Sequence, residues 1–139
     1  MGVGAEVTTT GLVGGTFVYD PGPFRLHALL GARFAHNDTE LDLAARFFFP
    51  LHKSQNADFS IGPGIGLVHF DHGDAPGDNA LDNAVHLEGA AQIRAFLVSN
   101  VALSASVGVG AIFGNGSNHN AAVLGGQVGG AFGITYFFF

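Results

Sequence analysis

From Phe24 to Phe49 the sequence reads FRLHALLGARFAHNDTELDLAARFFF, and apolar residues occupy nearly every second position in it. A β-strand sends successive side chains to opposite faces, so this period-two pattern predicts strands with one apolar face and one charged face. The tripeptide His36-Asn37-Asp38 is typical of a turn and makes the stretch an antiparallel hairpin. The charged face carries the residues at the intervening positions, Arg25, His27, Arg33, Glu40, Asp42 and Arg46.

The same alternation recurs along the rest of the chain. It predicts further strands at residues 59–67, 85–98 and 101–113, and from about Ala121 to the C-terminus. Pro50 is expected to end the strand before residue 59, because proline cannot donate a hydrogen bond to a ladder. The connecting segments are rich in Gly, Asn, Asp and Ser, and we expect turns or loops at Leu51 to Asp58, Asp71 to Ala84, Ser99-Asn100 and Gly114 to Asn120.

The composition is unusual for a soluble domain. Of 139 residues, 47% are hydrophobic and only 12% are charged, whereas charged residues usually make up about 25%. A membrane-spanning helix needs about 20 consecutive apolar residues, and polar residues or glycines interrupt every such stretch here. The 22 glycines and 14 phenylalanines favour strands and turns over helices. The length fits a single domain over residues 1–139.

Residue counts also exclude or disfavour several classes of function. The absence of Cys excludes a disulfide framework, a thiolate metal site and a cysteine nucleophile. The net charge of -6 and the small number of Lys and Arg residues argue against nucleic-acid binding. The chain begins Met-Gly-Val-Gly without the basic and apolar regions of an export signal, so we expect that any such signal has been removed.

The two-faced strands fit two environments, which differ in the face that meets water. In a soluble lipocalin-like binder the second face would be solvated, yet apart from a few charges it consists mostly of Gly, Ala and Ser. In a membrane barrel, lipid covers the apolar face and closure of the sheet pairs every backbone donor and acceptor. Aromatic residues also gather near predicted strand ends, as in an interfacial girdle, at Phe34, Phe47, Phe48, Phe49, Phe59, Phe70 and Tyr136. We therefore predict a closed antiparallel up-and-down transmembrane β-barrel.

The strand count depends on the amino-terminal residues. Val3, Ala5 and Val7 alternate with polar or small residues, and residues 17–19 are again typical of a strand. A break around Thr10-Gly11 gives about eight strands in all. The odd-numbered apolar phase continues across this break, so one long first strand, with seven strands overall, is the alternative. We prefer eight, because single-chain bacterial barrels have even strand numbers.

Two segments carry a resemblance to a known group of proteins. Residues 46–50 (RFFFP), a polar turn and residues 61–67 (IGPGIGL) resemble the fourth strand, periplasmic turn and glycine-rich fifth strand of opacity-type and outer-membrane-protein-A-type small barrels. The terminal Tyr136, Phe137, Phe138 and Phe139 are similar to the C-terminal aromatic signal that the barrel assembly machinery reads in that superfamily.

The resemblance implies an eight-stranded barrel in the outer membrane of a Gram-negative cell, with both termini in the periplasm. Its partners would be outer-membrane lipids, lipopolysaccharide and the barrel assembly machinery, and we expect a monomer. The resemblance implies no catalytic residue, no ligand residue and no cofactor.

The charged face is the main candidate site. If it lines a narrow lumen, unpaired charge there would be costly, so we expect the acids and bases to pair. This predicted interior ion-pair network consists of Glu6, Arg25, His27, Arg33, Glu40, Asp42, Arg46, His86, Glu88, Gln92 and Arg94. An eight-stranded lumen is just wide enough for side chains. The network would therefore fill the lumen as a structural plug, and rearrangement of its pairs would be needed for a pore.

Two predicted loops carry weaker candidate sites. The first has oxygen and imidazole groups suited to a cation, at Asp71, His72, Asp74, Asp78 and Asp82. Their spacing departs from the calcium-loop pattern, so a solvated acidic loop is the preferred interpretation and no metal is expected. In the second, Ser117 and His119 are the only neighbouring pair for a lipid-modifying serine enzyme, and they look like ordinary turn formers.

The sequence thus favours a structural or surface-interaction outer-membrane protein that is not an enzyme. The alternative is a narrow small-solute channel. A lipid-modifying barrel enzyme and a soluble lipocalin-like binder are the remaining hypotheses.

Overall fold

The chain forms a closed, all-β barrel, which confirms the predicted fold class. The structure, a computed structural model, describes residues 1–35, 38–72, 81–116 and 125–138. Sequential strands pair antiparallel, and the first strand pairs with the last to close the barrel. In the described ranges, no helix is long and apolar enough to cross a membrane. The eight strands are β1 Gly2–Thr8, β2 Val13–Tyr19, β3 Arg25–Ala35, β4 Asp38–Lys53, β5 Ala57–His72, β6 Leu81–Val98, β7 Val101–Gly116 and β8 Gly125–Phe137.

The amino-terminal break is a tight hairpin turn, so eight strands is the correct count. The Thr8 amide donates to the Leu12 carbonyl at 2.9 Å, and the Gly11 amide donates to the Thr8 carbonyl at 3.0 Å. Gly11 has a φ of 86°, in the left-handed region that glycine enters without steric cost. A three-residue hairpin loop commonly ends on such a residue. The apolar phase continues through the turn while the chain reverses direction.

The two faces of the sheet are segregated as the alternation predicts, with the apolar side chains outside. Leu43, Ile93 and Phe132 are 54%, 56% and 62% exposed, whereas Arg25 and Arg94 are 1% and 5% exposed. A soluble protein has the opposite arrangement, because its charged groups stay in water. The outer surface of this barrel therefore suits an apolar surrounding.

Strand β4 is longer than predicted. Pro50 does not end it, and pairing with β5 continues to Lys53, with a shift in register between Pro50 and His52. A β-bulge leaves one residue of the strand unpaired, which allows a proline nearby to lack its donor. The predicted turn from Leu51 to Asp58 therefore shrinks to residues 54–56.

Other predicted connections are also too long. Asp38 belongs to β4, β5 extends to His72, β6 begins at Leu81 and β7 extends to Gly116. The predicted loops from Asp71 to Ala84 and from Gly114 to Asn120 thus include strand residues at their ends. Strand β8 begins at Gly125, and the predicted start near Ala121 lies outside the described residues.

We expect Gly62→Ala to destabilise the barrel. A Cβ at Gly62 would collide with the backbone carbonyl of Phe47, which cannot swing aside as a flexible side chain does. Overpacking of this kind costs about 1–3 kcal/mol. The matched control is Gly89→Ala, since a Cβ there meets nothing within 4 Å, and it should change stability by less than about 0.5 kcal/mol. Urea unfolding in lipid vesicles measures both, and equal effects would contradict the register of β4 and β5.

Candidate functional site

A layer of ion pairs crosses the lumen near the end of the barrel that holds both termini. Arg94 on β6 donates to Asp58 on β5, from Nε to Oδ2 at 2.9 Å and from Nη2 to Oδ2 at 2.5 Å. The Arg94 Nη2 also donates to Asp20 Oδ2 at 2.7 Å. Arg25 on β3 donates to Gln92 Oε1 at 2.7 Å and to Asp58 Oδ1 at 3.3 Å. Two guanidinium groups and two carboxylates thus balance each other within a single layer.

Aromatic rings pack against both guanidinium groups of this layer. The guanidinium carbon of Arg25 lies 5.2 Å from the ring centroid of Phe48, and that of Arg94 lies 5.2 Å from Phe96 and 5.5 Å from Phe137. Rings at these distances attract the cations and exclude water. We call this group the inner plug, formed by Asp20, Arg25, Phe48, Asp58, Ser60, Gln92, Arg94, Phe96 and Phe137.

The inner plug includes Phe48 from the predicted girdle and Phe137 from the predicted C-terminal signal. Phe48 was expected in an interfacial girdle but is 0% exposed and lies in the interior, as its position in the alternation of β4 requires. Of the predicted C-terminal signal, Tyr136 and Phe138 are 50% and 45% exposed, while Phe137 is 8% exposed against Val18 and Ala102. Phe139 lies outside the described residues. The girdle thus keeps Phe34, Phe49, Phe59 and Tyr136 among the exposed side chains.

A second group of charges lies deeper in the lumen, centred on Arg46. Its Nη1 donates to Glu6 Oε1 at 2.7 Å, and its Nε donates to Glu88 Oε1 at 2.5 Å. Glu6 also lies 3.6 Å from Nε2 of His27. Arg46 therefore joins β1, β4 and β6 across the barrel. We call this group the central triad, meaning Glu6, Arg46 and Glu88.

Small residues on β5 and β7 make room for the central triad. A Cβ at Gly64 would lie 2.7 Å from Glu88 Oε1 and 3.1 Å from Arg46 Cγ, and one at Gly108 would lie 3.0 Å from Glu88 Oε2. A Cβ at Gly66 would collide with the ring of His86. The alternation of small and long side chains across the lumen therefore determines where the charges fit.

The remaining predicted network residues lie toward the end of the barrel opposite the termini. Arg33 and Glu40 form a separate pair at 2.7 Å, and the Arg33 side chain is 43% exposed, so it is less enclosed than predicted. Asp42 and His86 line a cavity of about 260 Å³ on the outer side of the central triad. Among the described residues, Oδ1 of Asp42 has no hydrogen-bond partner. The predicted network is thus divided into three groups.

Two members of the inner plug were missed by the sequence analysis. Asp58 was assigned to the predicted turn from Leu51 to Asp58, and Asp20 was not among the predicted network residues. Both stand at even-numbered positions, in phase with inward residues such as Ser60 and Val18. Extending the alternation beyond the apparent strand ends would have found them.

The predicted loop sites cannot be assembled from the described residues. Asp74, Asp78, Ser117 and His119 lie outside those residues, and Asp71, His72 and Asp82 are described only as strand backbone. Among the side chains that the structure does describe, no three His, Asp or Glu groups are placed to hold a metal ion.

Comparison with known proteins gives a match in fold only. No protein-family model matches the chain, and no curated protein matches its sequence. CarO of Acinetobacter baumannii superposes with a TM-score of 0.53, covering 99% of this chain and 97% of that chain at 12% identity. The chain has the fold of small eight-stranded outer-membrane barrels. The outer membrane enzyme PagL gives a TM-score of 0.45, covering 98% of this chain and 97% of that chain at 16% identity, which supports no argument about activity.

We expect Arg46→Met to be strongly destabilising, because it leaves the buried Glu6 without its guanidinium partner. Breaking a buried pair from one side costs about 3–5 kcal/mol. The control is Arg33→Met, which removes a half-exposed guanidinium and should cost less than about 1 kcal/mol. Adding Glu6→Gln and Glu88→Gln to Arg46→Met should recover part of the loss. Equilibrium unfolding in vesicles measures all three variants, and no recovery would contradict the triad.

Proposed function

We propose that the protein is a monomeric barrel of the bacterial outer membrane with a lumen closed by its own side chains. Its role is structural or one of surface interaction, without catalytic activity. The domain is a single barrel unit, embedded in outer-membrane lipid and lipopolysaccharide and inserted by the barrel assembly machinery.

The distribution of polarity supports the membrane location. The outward side chains are apolar on all eight strands, and the lumen holds the ion pairs. A bilayer core offers no hydrogen bonds to exposed backbone groups, and a closed barrel satisfies them through its ladder. A soluble lipocalin-like binder requires the opposite segregation.

The lengths of the connections support an orientation. Residues 20–24, 54–56 and 99–100 connect strands at the end that holds the termini, and residues 9–12, 36–37, 73–80 and 117–124 connect strands at the opposite end, so the two longest connections lie opposite the termini. Outer-membrane barrels have short periplasmic turns and longer extracellular loops. We therefore place both termini in the periplasm and the 260 Å³ cavity toward the cell exterior.

The inner plug is the observation that carries the closed-lumen proposal. Phe48 and Ser60 are 0% exposed, and Arg25 and Gln92 are 1% and 2% exposed. Side chains packed this closely leave little room for water and ions to pass between them. A narrow channel, the alternative function, would require the paired guanidinium groups to leave their carboxylates. A lipid-modifying enzyme has no support among the described residues.

Conductance in planar bilayers tests the closed lumen. We expect the wild-type protein to give no steady conductance, and Arg25→Ala/Phe48→Ala to give discrete open levels, because it removes two fully enclosed side chains of the inner plug. The matched control is Arg33→Ala/Phe34→Ala, which removes the same groups at positions where they are exposed, and it should be silent. A steady open level of the wild-type protein would establish the channel instead.

A further inference from the structure

Among the residues that the structure describes, the barrel wall is incomplete above the first hairpin. Strand β1 ends at Thr8 and β2 begins at Val13. Strand β3 continues for three residues, 33–35, beyond Ala32, which is the partner of Val13. Strand β8 likewise has residues 125–130 beyond Ala131, the partner of Thr8. With strands about 4.8 Å apart, the missing parts of β1 and β2 leave a gap of ~14 Å between the β3 and β8 backbones. We call this opening the side gap.

Hydrogen bonds attach the hairpin to both edges of the side gap. The Thr9 amide donates to the Gly130 carbonyl at 2.8 Å, and the Gly130 amide donates to Thr9 Oγ1 at 3.0 Å. On the other edge, Arg33 Nη1 donates to the Thr10 carbonyl at 3.4 Å. Among the described residues, no hydrogen bond connects residues 125–129 with residues 33–35. The floor of the gap is therefore fixed, and its two sides are separate.

The side gap faces an apolar surrounding. Phe34 and Val128 stand on its two sides, point outward and are 78% and 75% exposed, the largest exposures among the apolar side chains of the described residues. Each lacks a strand neighbour on the gap side, which accounts for this exposure. In the membrane orientation proposed above, these side chains place the gap in the outer leaflet.

The cavity inside the barrel reaches this gap. Its lining includes Thr8, Thr9 and Thr10 of the hairpin, Arg33 on one edge and Gly129 with Gly130 on the other. The same cavity extends inward to Asp42, His86 and Glu88. This cavity, which we call the chamber, therefore lies beside the side gap at a level where the outside of the barrel is apolar, and the inner plug closes it below.

The charges of the chamber select a cation. Arg33 is paired with Glu40 and Arg46 with Glu6 and Glu88, so among the described side chains that line the chamber Asp42 is the acid without a guanidinium partner. An ammonium group at Asp42 would add a charge-assisted hydrogen bond. A phosphate beside these acids would be repelled, which disfavours a phospholipid head group.

We propose that the side gap admits the ammonium head of a single-chain amphiphile from the outer leaflet, with the head bound at Asp42 and the alkyl chain leaving between Phe34 and Val128. The inference rests on the membrane location proposed above. It adds to the closed-lumen proposal, because the ligand enters and leaves sideways without crossing the inner plug.

Dodecylamine binding to the protein in phosphatidylcholine nanodiscs tests the proposal by calorimetry, with empty nanodiscs subtracted. We expect saturable binding that Asp42→Asn weakens by about tenfold, as for one charge-assisted hydrogen bond. Gly129→Leu should weaken it as well, because a Cβ at Gly129 meets nothing within 4 Å and points into the chamber. The matched control is Gly15→Leu. A Cβ at Gly15 also meets nothing within 4 Å but faces outward, so this variant should bind dodecylamine as the wild-type protein does.

Two further ligands separate the alternatives. Dodecanoate should not bind, and ethylamine, which has no alkyl tail, should bind far more weakly than dodecylamine. Equal binding of ethylamine would show entry from the aqueous mouth and overturn the lateral route. If the protein co-elutes with nanodiscs but does not bind dodecylamine, the amphiphile site is overturned and the membrane location stands. If the protein does not enter nanodiscs, the membrane location itself is contradicted.

Discussion

The structure depends on the pairing of charge inside a lumen with little room for water. Arg46 lies between Glu6 and Glu88, and Arg25 and Arg94 lie around Asp58. A charge left alone in such a space is unfavourable by several kcal/mol, so each guanidinium requires a carboxylate from a strand distant in sequence. The pairs of Arg46 with Glu6 and Glu88, and of Arg25 with Asp58, connect strands that are not neighbours in the ladder, whereas Arg94 and Asp58 are partners on the adjacent strands β6 and β5. The pairing therefore requires particular residues at particular interior positions, whereas the exterior positions require only that the side chains be hydrophobic.

Complementary sizes make this pairing geometrically feasible. The inward positions of β5 are Ser60, Gly62, Gly64 and Gly66, and the long side chains of Arg46, Glu88 and His86 occupy the space that these small residues leave. Small residues are the direct partners of long ones on adjacent strands, as Gly64 is of Arg46 and Glu88, because an eight-stranded barrel has little interior room for long side chains at each level. The glycines of this sequence therefore provide space for long side chains in the lumen, in addition to their role in turns.

Much of the fold can be predicted from the alternation of apolar and polar residues, because the alternation indicates which side chains share a face of the sheet. It gave the two-faced strands and the inward position of Arg25, Arg46 and Arg94. The choice of a membrane barrel rested on the weak polarity of the second face, and the choice of eight strands rested on the even strand numbers of bacterial barrels. The alternation did not give the ends of the strands, since Pro50 is accommodated by a bulge that depends on pairing with β5. For the same reason Asp58 appeared to be a turn residue. Which acid meets which base also depends on the stagger of the strands around the barrel, a property of the closed sheet that no single segment encodes.

The short first hairpin has a consequence for assembly. β1 meets β8 over seven residue pairs, from Gly2 with Phe137 to Thr8 with Ala131, whereas β6 and β7 are joined by a two-residue turn and pair along nearly their whole length. The β1–β8 contact brings together the two ends of the chain, so it carries the largest loop-closure entropy although it has only seven residue pairs. The hairpins can form locally, and the pairing of β1 with β8 is then the rate-limiting step of folding. Folding rate should accordingly respond most to substitutions along that pairing.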